Sequence, residues 1–242
     1  MRAFVTVQVL IVAVAVISGC IIRPMIPDIG ITDIRSAEDV RAIDFDCITC
    51  LDELDRDPFS SFEGGGMAYG FLYDRSYTQS MFVCTALEDI RCTNGFYSQS
   101  VRIEKGVSGI CPEAGKTIDL TVSGGIFRRP KEQYRYNEYL DPEISGERLM
   151  SILYLYGANF MKPGHSYLVS CVTKREGEWR YYGTLPERIS WLDLADNENK
   201  LVTEPPGEEH YGNYADNEFF CRDEATLAGA LETKRQLIEK YA

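Results

Sequence analysis

The chain has 242 residues, 37 of them acidic and 25 basic, for a net charge of −12, and it carries eight cysteines. That balance provides no basic stripe to neutralise phosphates and no cationic face for anionic lipid, which argues against nucleic acid and against peripheral adsorption on a membrane. The length suffices for one large domain with its own core.

The first element is an apolar run from Ala3 to Ile17, preceded by Arg2 and closed by Ile17-Ser18-Gly19-Cys20. It has the length of a signal-peptide core and ends too abruptly to span a bilayer comfortably. A branched residue, two small residues and Cys resemble the bacterial lipobox. This implies a lipoprotein signal peptide over 1–19, cleavage before Cys20, diacylglycerol on its sulfur and a palmitate-type acyl chain on its new amine. Cleavage removes Arg2, the one charge of the segment, and takes the net charge from −12 to −13. An ordinary secretory peptide and an uncleaved anchor are the competing readings, and both also put the rest of the chain outside the cytoplasm. Ile21 after the Cys is not Asp, which favours the outer membrane or cell surface over the inner membrane.

Residues 20–35 hold Pro24, Pro27 and Gly30 and read as a tether to a module over 36–242. Ser36-Ala37-Glu38-Asp39 resembles a capping box and predicts a short helix to about Ile43. Cys47 to Leu54 reads as a further helical turn or irregular segment ended by Pro58. Strand grammar follows at Met67–Tyr73, Ser80–Cys84 and Phe96–Ile103. In the last of these, Tyr97, Gln99, Val101 and Ile103 share one face. Lys116 to Ser123 alternates, with Ile118, Leu120 and Val122 on one side. Residues 127–147 read as a loop excursion. Leu149–Tyr156, Ser166–Thr173 and Trp179–Tyr182 are further strands, the last two joined as a hairpin. In Ser166–Cys171, Tyr167, Val169 and Cys171 share a face. Glu204–Asn217 is acidic and rich in Pro and Gly, and reads as a mobile loop. Residues 223–241 form a C-terminal helix with Leu227, Ala230, Leu231, Lys234, Leu237, Ile238 and Tyr241 on one stripe.

With Cys20 acylated, seven cysteines remain: Cys47, Cys50, Cys84, Cys92, Cys111, Cys171 and Cys221. In an oxidising compartment they are candidates for up to three disulfides, with connectivity open. Cys84–Cys92 is the local guess, worth roughly 2.5 kcal/mol by chain entropy. Cys47-x-x-Cys50 lacks the strand–helix context of a redox motif and follows Asp44 and Asp46, whose charges disfavour a thiolate. The Gly115-Lys116-Thr117 segment has the wrong spacing for a phosphate loop. His165 and His210 are too far apart for a zinc motif, and His165 reads as a turn residue after Pro163-Gly164. Asp52, Asp55, Asp57, Asp193 and Asp196 match no EF-hand loop and read as solvated loop charge. No cofactor or metal is expected. Arg128, Arg129, Tyr134, Arg135, Tyr136 and Tyr139 form a basic and aromatic cluster suited to binding a partner.

Several segments occur in the order of one family: Cys47 and Cys50, the glycine-bearing strand to Tyr73, Ser100-Val101-Arg102-Ile103-Glu104-Lys105-Gly106, Lys116 to Val122, Phe160-x-x-Pro163-Gly164-x-x-Tyr167-Leu168-Val169, and Cys221 before the last helix. Together they resemble the bacterial relatives of the tissue inhibitors of metalloproteinases, which share the netrin-type module. The resemblance implies a mainly β fold, a five-stranded OB-like barrel with the C-terminal helix beside it. Protease inhibition in that family uses a free N-terminal Cys whose amine and carbonyl chelate zinc. Cys47 is internal here, so the fold transfers and the inhibition does not.

These features predict a lipid-anchored, extracytoplasmic and non-catalytic binding module, stapled by disulfides, for a protein or an envelope polymer. A carboxylate-dependent glycan hydrolase and an envelope assembly factor are the alternatives.

Overall fold

A computed structural model describes residues 47–54, 57–62, 77–93, 96–130, 149–176, 179–185, 188–205 and 209–242. Cys20, the tether, the helix expected over 36–43 and the strand expected at 67–73 lie outside them.

The centre of the molecule is a closed barrel of five strands: β2 (Tyr77–Ala86), β4 (Phe96–Ser108), β5 (Thr117–Val122), β8 (Ser166–Glu176) and β9 (Trp179–Thr184). Strands β2, β4 and β5 form an antiparallel meander. β5 then meets β9 in parallel at Thr121 and Gly183. β9 pairs antiparallel with β8, and β8 pairs antiparallel with β2, which closes the ring. The single β5–β9 bridge is reinforced by Ser123, whose N–H donates to Thr184 Oγ1 at 2.6 Å and whose hydroxyl donates to Thr184 O at 2.8 Å. Two register shifts in β2 against β4, at Met81/Phe82 and Val83/Cys84, supply the local coiling that closure needs. β3 (Arg91–Thr93) extends the rim along β4, and β10 (Trp191–Asp193) takes the edge of β8 that β9 leaves open.

A separate three-stranded sheet holds β1 (Cys47–Ile48), β7 (Leu149–Tyr154) and β6 (Gly125–Pro130), with β1 parallel and β6 antiparallel to β7. The excursion read from residue 127 therefore begins later, because β6 runs to Pro130. Cys47 to Leu54, expected as a helical turn or irregular segment, is the two-residue strand β1 followed by a single 3-10 turn, Leu51–Glu53.

Alternation in β2 and β8 divides the core in two. Phe82, Cys84, Tyr167, Val169 and Cys171 face the barrel interior with Val101, Ile103, Leu120 and Val122. Met81, Val83 and Leu168 face outward, against Leu192, Phe219 and the terminal helix. Both faces of these strands are therefore buried. That helix, α2 (Glu224–Tyr241), is preceded by the short α1 (Tyr211–Tyr214). Asp223 caps α2 by accepting from Thr226 N at 2.8 Å, an interaction worth about 1 kcal/mol. Ala230, Lys234 and Leu237 are its buried positions. Leu231, counted on the same stripe by sequence, is 36% exposed. The acidic run 204–217 is not wholly a loop. α1 interrupts it, with Tyr211 and Tyr214 buried and Tyr211 Oη donating to Asn159 Oδ1 at 2.8 Å.

Candidate functional site

Polar side chains converge where β8, β10 and α2 meet. Asp193, the last residue of β10, is 2% exposed because β10 pairs with Tyr167–Val169 of β8. Solvated loop charge was the sequence expectation at this position, and strand pairing overturns it. His165 follows the Pro163-Gly164 turn, as expected, and its Nδ1 lies 2.8 Å from Asp193 Oδ2. Asp193 Oδ1 accepts from Ala195 N at 2.9 Å, and Asp193 N donates to Glu218 Oε1 at 2.9 Å. Glu218 Oε2 accepts from Lys234 Nζ at 2.5 Å and from Asn197 Nδ2 at 3.2 Å. Lys234 Nζ also donates to Ala195 O at 2.7 Å. Burial pushes the Glu218 carboxyl up, and the Lys234 ammonium beside it pulls it back down. Burial likewise raises the Tyr167 phenol, whose oxygen accepts from Lys162 N at 2.6 Å.

Asp193 and Glu218 are the kind of carboxylate pair that hydrolytic chemistry uses. Their surroundings favour another role. Lys234 and Glu218 are 5% and 6% exposed at the side chain, and each is bound to the other and to backbone. The Glu218 oxygens hold β10 and α2 rather than facing a substrate. Of the Asp193–His165 pair, the His165 side chain, 38% exposed, is the one that meets solvent. An Asp–His pair can serve as a general base when its outer nitrogen reaches a reacting group. The His165 ring bonds Asp193 through Nδ1 and stacks on Tyr167 with centroids 6.5 Å apart, and the Tyr167 phenol bonds Asp193 as well.

A second cluster gathers on Arg222, just before α2. Its Nη2 is 2.5 Å from Glu209 Oε1, with Glu209 fully buried, and its Nε donates to Glu53 Oε1 at 3.2 Å. Its Nη1 donates to Glu204 O at 2.7 Å, and its backbone N to Asp52 Oδ1 at 2.7 Å. Asp52 therefore serves as an acceptor in the fold. The cluster ties the 3-10 turn after β1 to the entry of α2.

Cys84 and Cys171 lie inside the barrel on β2 and β8, Cys92 on β3, Cys111 in the β4–β5 connection, and Cys50 and Cys221 at the two sides of the Arg222 cluster. Cys47 is in β1. The six cysteines from Cys50 to Cys221 are free thiols in the structure. Burial pushes the Cys50 thiol up, with Arg222 opposing and Glu53 and Asp52 adding to it. Burial raises Cys84 as well, and pushes Cys171 and Cys221 up to about 12. A thiol held protonated is a poor nucleophile, so Cys50 lacks the activation that a redox Cys-x-x-Cys requires.

Of the basic and aromatic cluster, Arg128 and Arg129 stand in β6, in register with Ser151 and Met150 of β7. Tyr134, Arg135, Tyr136 and Tyr139 lie outside the described residues. Pairing of Pro130 with Leu149 closes the β6–β7 hairpin and makes residues 131–148 its connection. The polar network of Asp193, Glu218 and Lys234 was not found by sequence. Lys234 on an otherwise apolar helical stripe is the signal that could have exposed it.

No family model, no curated protein and no solved structure matches the chain.

Proposed function

We propose that the chain is an extracytoplasmic lipoprotein, anchored through Cys20 to the outer membrane or cell surface. Its barrel is a non-catalytic OB-like module of the netrin type, stapled by disulfides, that presents a binding surface to a protein or envelope polymer. Strand order supports the OB-like type: the meander β2–β4–β5, the parallel β5–β9 contact and the return of β8 onto β2. The observation that carries the binding role is the β6–β7 hairpin. It stands in a sheet apart from the barrel, and its paired ends, Pro130 and Leu149, bracket the segment that holds Tyr134, Arg135, Tyr136 and Tyr139. Aromatic and Arg side chains supply contact energy at low entropic cost, and this chain concentrates them there.

The test replaces residues 131–148 with Asn-Gly, a two-residue hairpin turn. The variant keeps the far-ultraviolet spectrum and melting temperature of the parent but loses co-sedimentation with purified envelope polymer or cross-linking to its envelope protein partner. Undiminished binding by this variant overturns the reading. Anchoring is tested separately: Cys20→Ser abolishes fatty-acid labelling and leaves unprocessed precursor.

A further inference from the structure

Cys111 and Cys171 are neighbours at one end of the barrel, where Cys111 adds to the upward push that burial gives the Cys171 thiol. Cys171 on β8 is in register with Ser80 of β2. Ser80 Oγ donates to Ile110 O and accepts from Ile110 N, both at 3.1 Å, which draws the β4–β5 connection onto β2. Thr173, on the same face of β8 as Cys171, donates to Ser80 Oγ at 3.0 Å. The residue after Ile110 is Cys111. Its Sγ donates to Met81 O and to Ser108 O, each at 3.0 Å. Gly106 leaves it room, since a Cβ there would sit 2.9 Å from Cys111 Cβ. Cys111 packs against the interior cluster that contains Cys171. Gly109 fixes the approach: its φ is +76°, and a Cβ would come within 2.1 Å of Gln79 O. Ser80 thus pairs in register with Cys171 and binds the residue just before Cys111.

The third interior thiol is placed differently. Cys84 is in register with Tyr167, four residues along β8 from Cys171. Four residues of strand span about 13 Å, beyond the Cα separation of about 7 Å that a disulfide bridges.

We propose that Cys111 and Cys171 are the disulfide pair that locks the β4–β5 connection to β8. The proposal rests on the extracytoplasmic reading above for its oxidant, a protein or small-molecule disulfide. The Cys111 thiolate attacks a sulfur of that oxidant, giving a mixed disulfide and releasing one oxidant thiolate. The Cys171 sulfur then displaces the second. One S–S bond forms in the chain and one breaks in the oxidant, which leaves as two thiols carrying the two protons and two electrons. Cys111 is half-exposed and Cys171 fully buried, so Cys111 is the sulfur that meets the oxidant first.

The experiment uses the full chain in detergent, reduced, folded and then titrated with glutathione disulfide. Free thiols are alkylated, and the unreduced digest is mapped by mass spectrometry. The expected product joins the Cys111 peptide to the Cys171 peptide, two hydrogens lighter than their sum, and leaves Cys84 alkylated. Cys111→Ser should abolish that product and leave Cys171 alkylated after denaturation, with an unchanged circular dichroism spectrum. Recovery of Cys111 or Cys171 in any other pairing, or of both as alkylated thiols at excess oxidant, overturns the proposal. Because the oxidant is added, this outcome does not depend on export. Failure of the lipoprotein reading shows instead as absence of acylation at Cys20.

Discussion

Replacing Lys234 by Met tests what holds the terminal helix to the barrel. Met keeps most of the stem volume and removes the charge. Lys234 Nζ lies 2.5 Å from Glu218 Oε2 and 2.7 Å from Ala195 O, with both charged side chains under 7% exposed. Removing one partner of a buried pair leaves an uncompensated charge, a cost of about 3–5 kcal/mol. Glu218 keeps Asp193 N at 2.9 Å and Asn197 Nδ2 at 3.2 Å as donors, so the lower end of that range, about 3 kcal/mol, is expected. For a chain of this length that is a fall of roughly 10 °C in melting temperature. The pH dependence gives a second readout. Burial already raises Glu218 above the ordinary 4.5, and loss of the ammonium raises it further. Between 4.5 and that raised value the folded variant binds a proton that the unfolded chain does not. Stability of the variant therefore falls as pH rises through this window, and its deficit against the parent shrinks on acidification. The double variant Lys234→Met with Glu218→Gln should recover most of the loss, since a neutral pair of similar shape carries no buried charge. Urea denaturation of the three variants at pH 7 and pH 5 measures all of this. A deficit under about 1 kcal/mol at pH 7, or one that does not shrink at pH 5, would refute the reasoning.

Val169 is fully buried inside the barrel, in register with Phe82 and Trp191, so Val169→Asp should cost several kcal/mol in denaturant titrations, and wild-type stability would contradict its inward facing. Gly109→Ala places a Cβ 2.1 Å from Gln79 O at a φ of +76° and is expected to cost about 1–3 kcal/mol, which the same titration reads; a neutral result would mean the β4–β5 connection is not seated on β2. Residues 21–242 should leave zinc-metalloprotease turnover unchanged at large molar excess, because the Cys47 nitrogen is an internal amide with no lone pair to donate; stoichiometric inhibition in that assay would overturn the argument.

Alternation carried most of the barrel. Ile118, Leu120 and Val122 were assigned to one face, and Leu120 and Val122 are buried. Tyr97, Gln99, Val101 and Ile103 share the interior face as their period requires, including Gln99, whose Nε2 donates to Glu88 O at 2.8 Å and Met161 O at 2.7 Å. What a period of two cannot tell is whether the second face meets water. Ser170 looks like an outward polar residue, yet it is fully buried, with its hydroxyl donating to Ser61 O at 2.7 Å. Asp193 and Tyr211 were misread for a related reason. Asp193 ends a three-residue strand, too short to show a period, and Tyr211 stands in an acidic run rich in Gly and Asn. The partners that bury them, Glu218 and His165 for the first and Asn159 for the second, come from elsewhere in the sequence. Local composition holds no record of such pairings. Of the basic and aromatic cluster, legible as composition, Arg128 and Arg129 stand in β6, and the other members lie outside the described residues.

The two sheets differ in how their strands are covered. β2 and β8 are packed on both faces, inward against the barrel cluster and outward against α2, and the network of Asp193, Glu218 and Lys234 spans the join. An opening of α2 would strip the outer face of β2 and β8 and leave Glu218 without its ammonium, so helix and barrel are coupled in one cooperative unit. Such a unit is a poor place to evolve contacts, because a substitution on either face of its central strands disturbs packing. The β6–β7 hairpin lies in a different sheet, which it shares with β1 through the Cys47–Ile152 and Ile48–Leu153 pairs, and its Gly125 sits against the Tyr97 ring of β4. The connection 131–148 is itself acidic, with Lys131, Arg135 and Arg148 against Glu132, Glu138, Asp141, Glu143 and Glu147, so the binding proposed for it would rest on tyrosine faces and individual Arg side chains rather than on a basic patch.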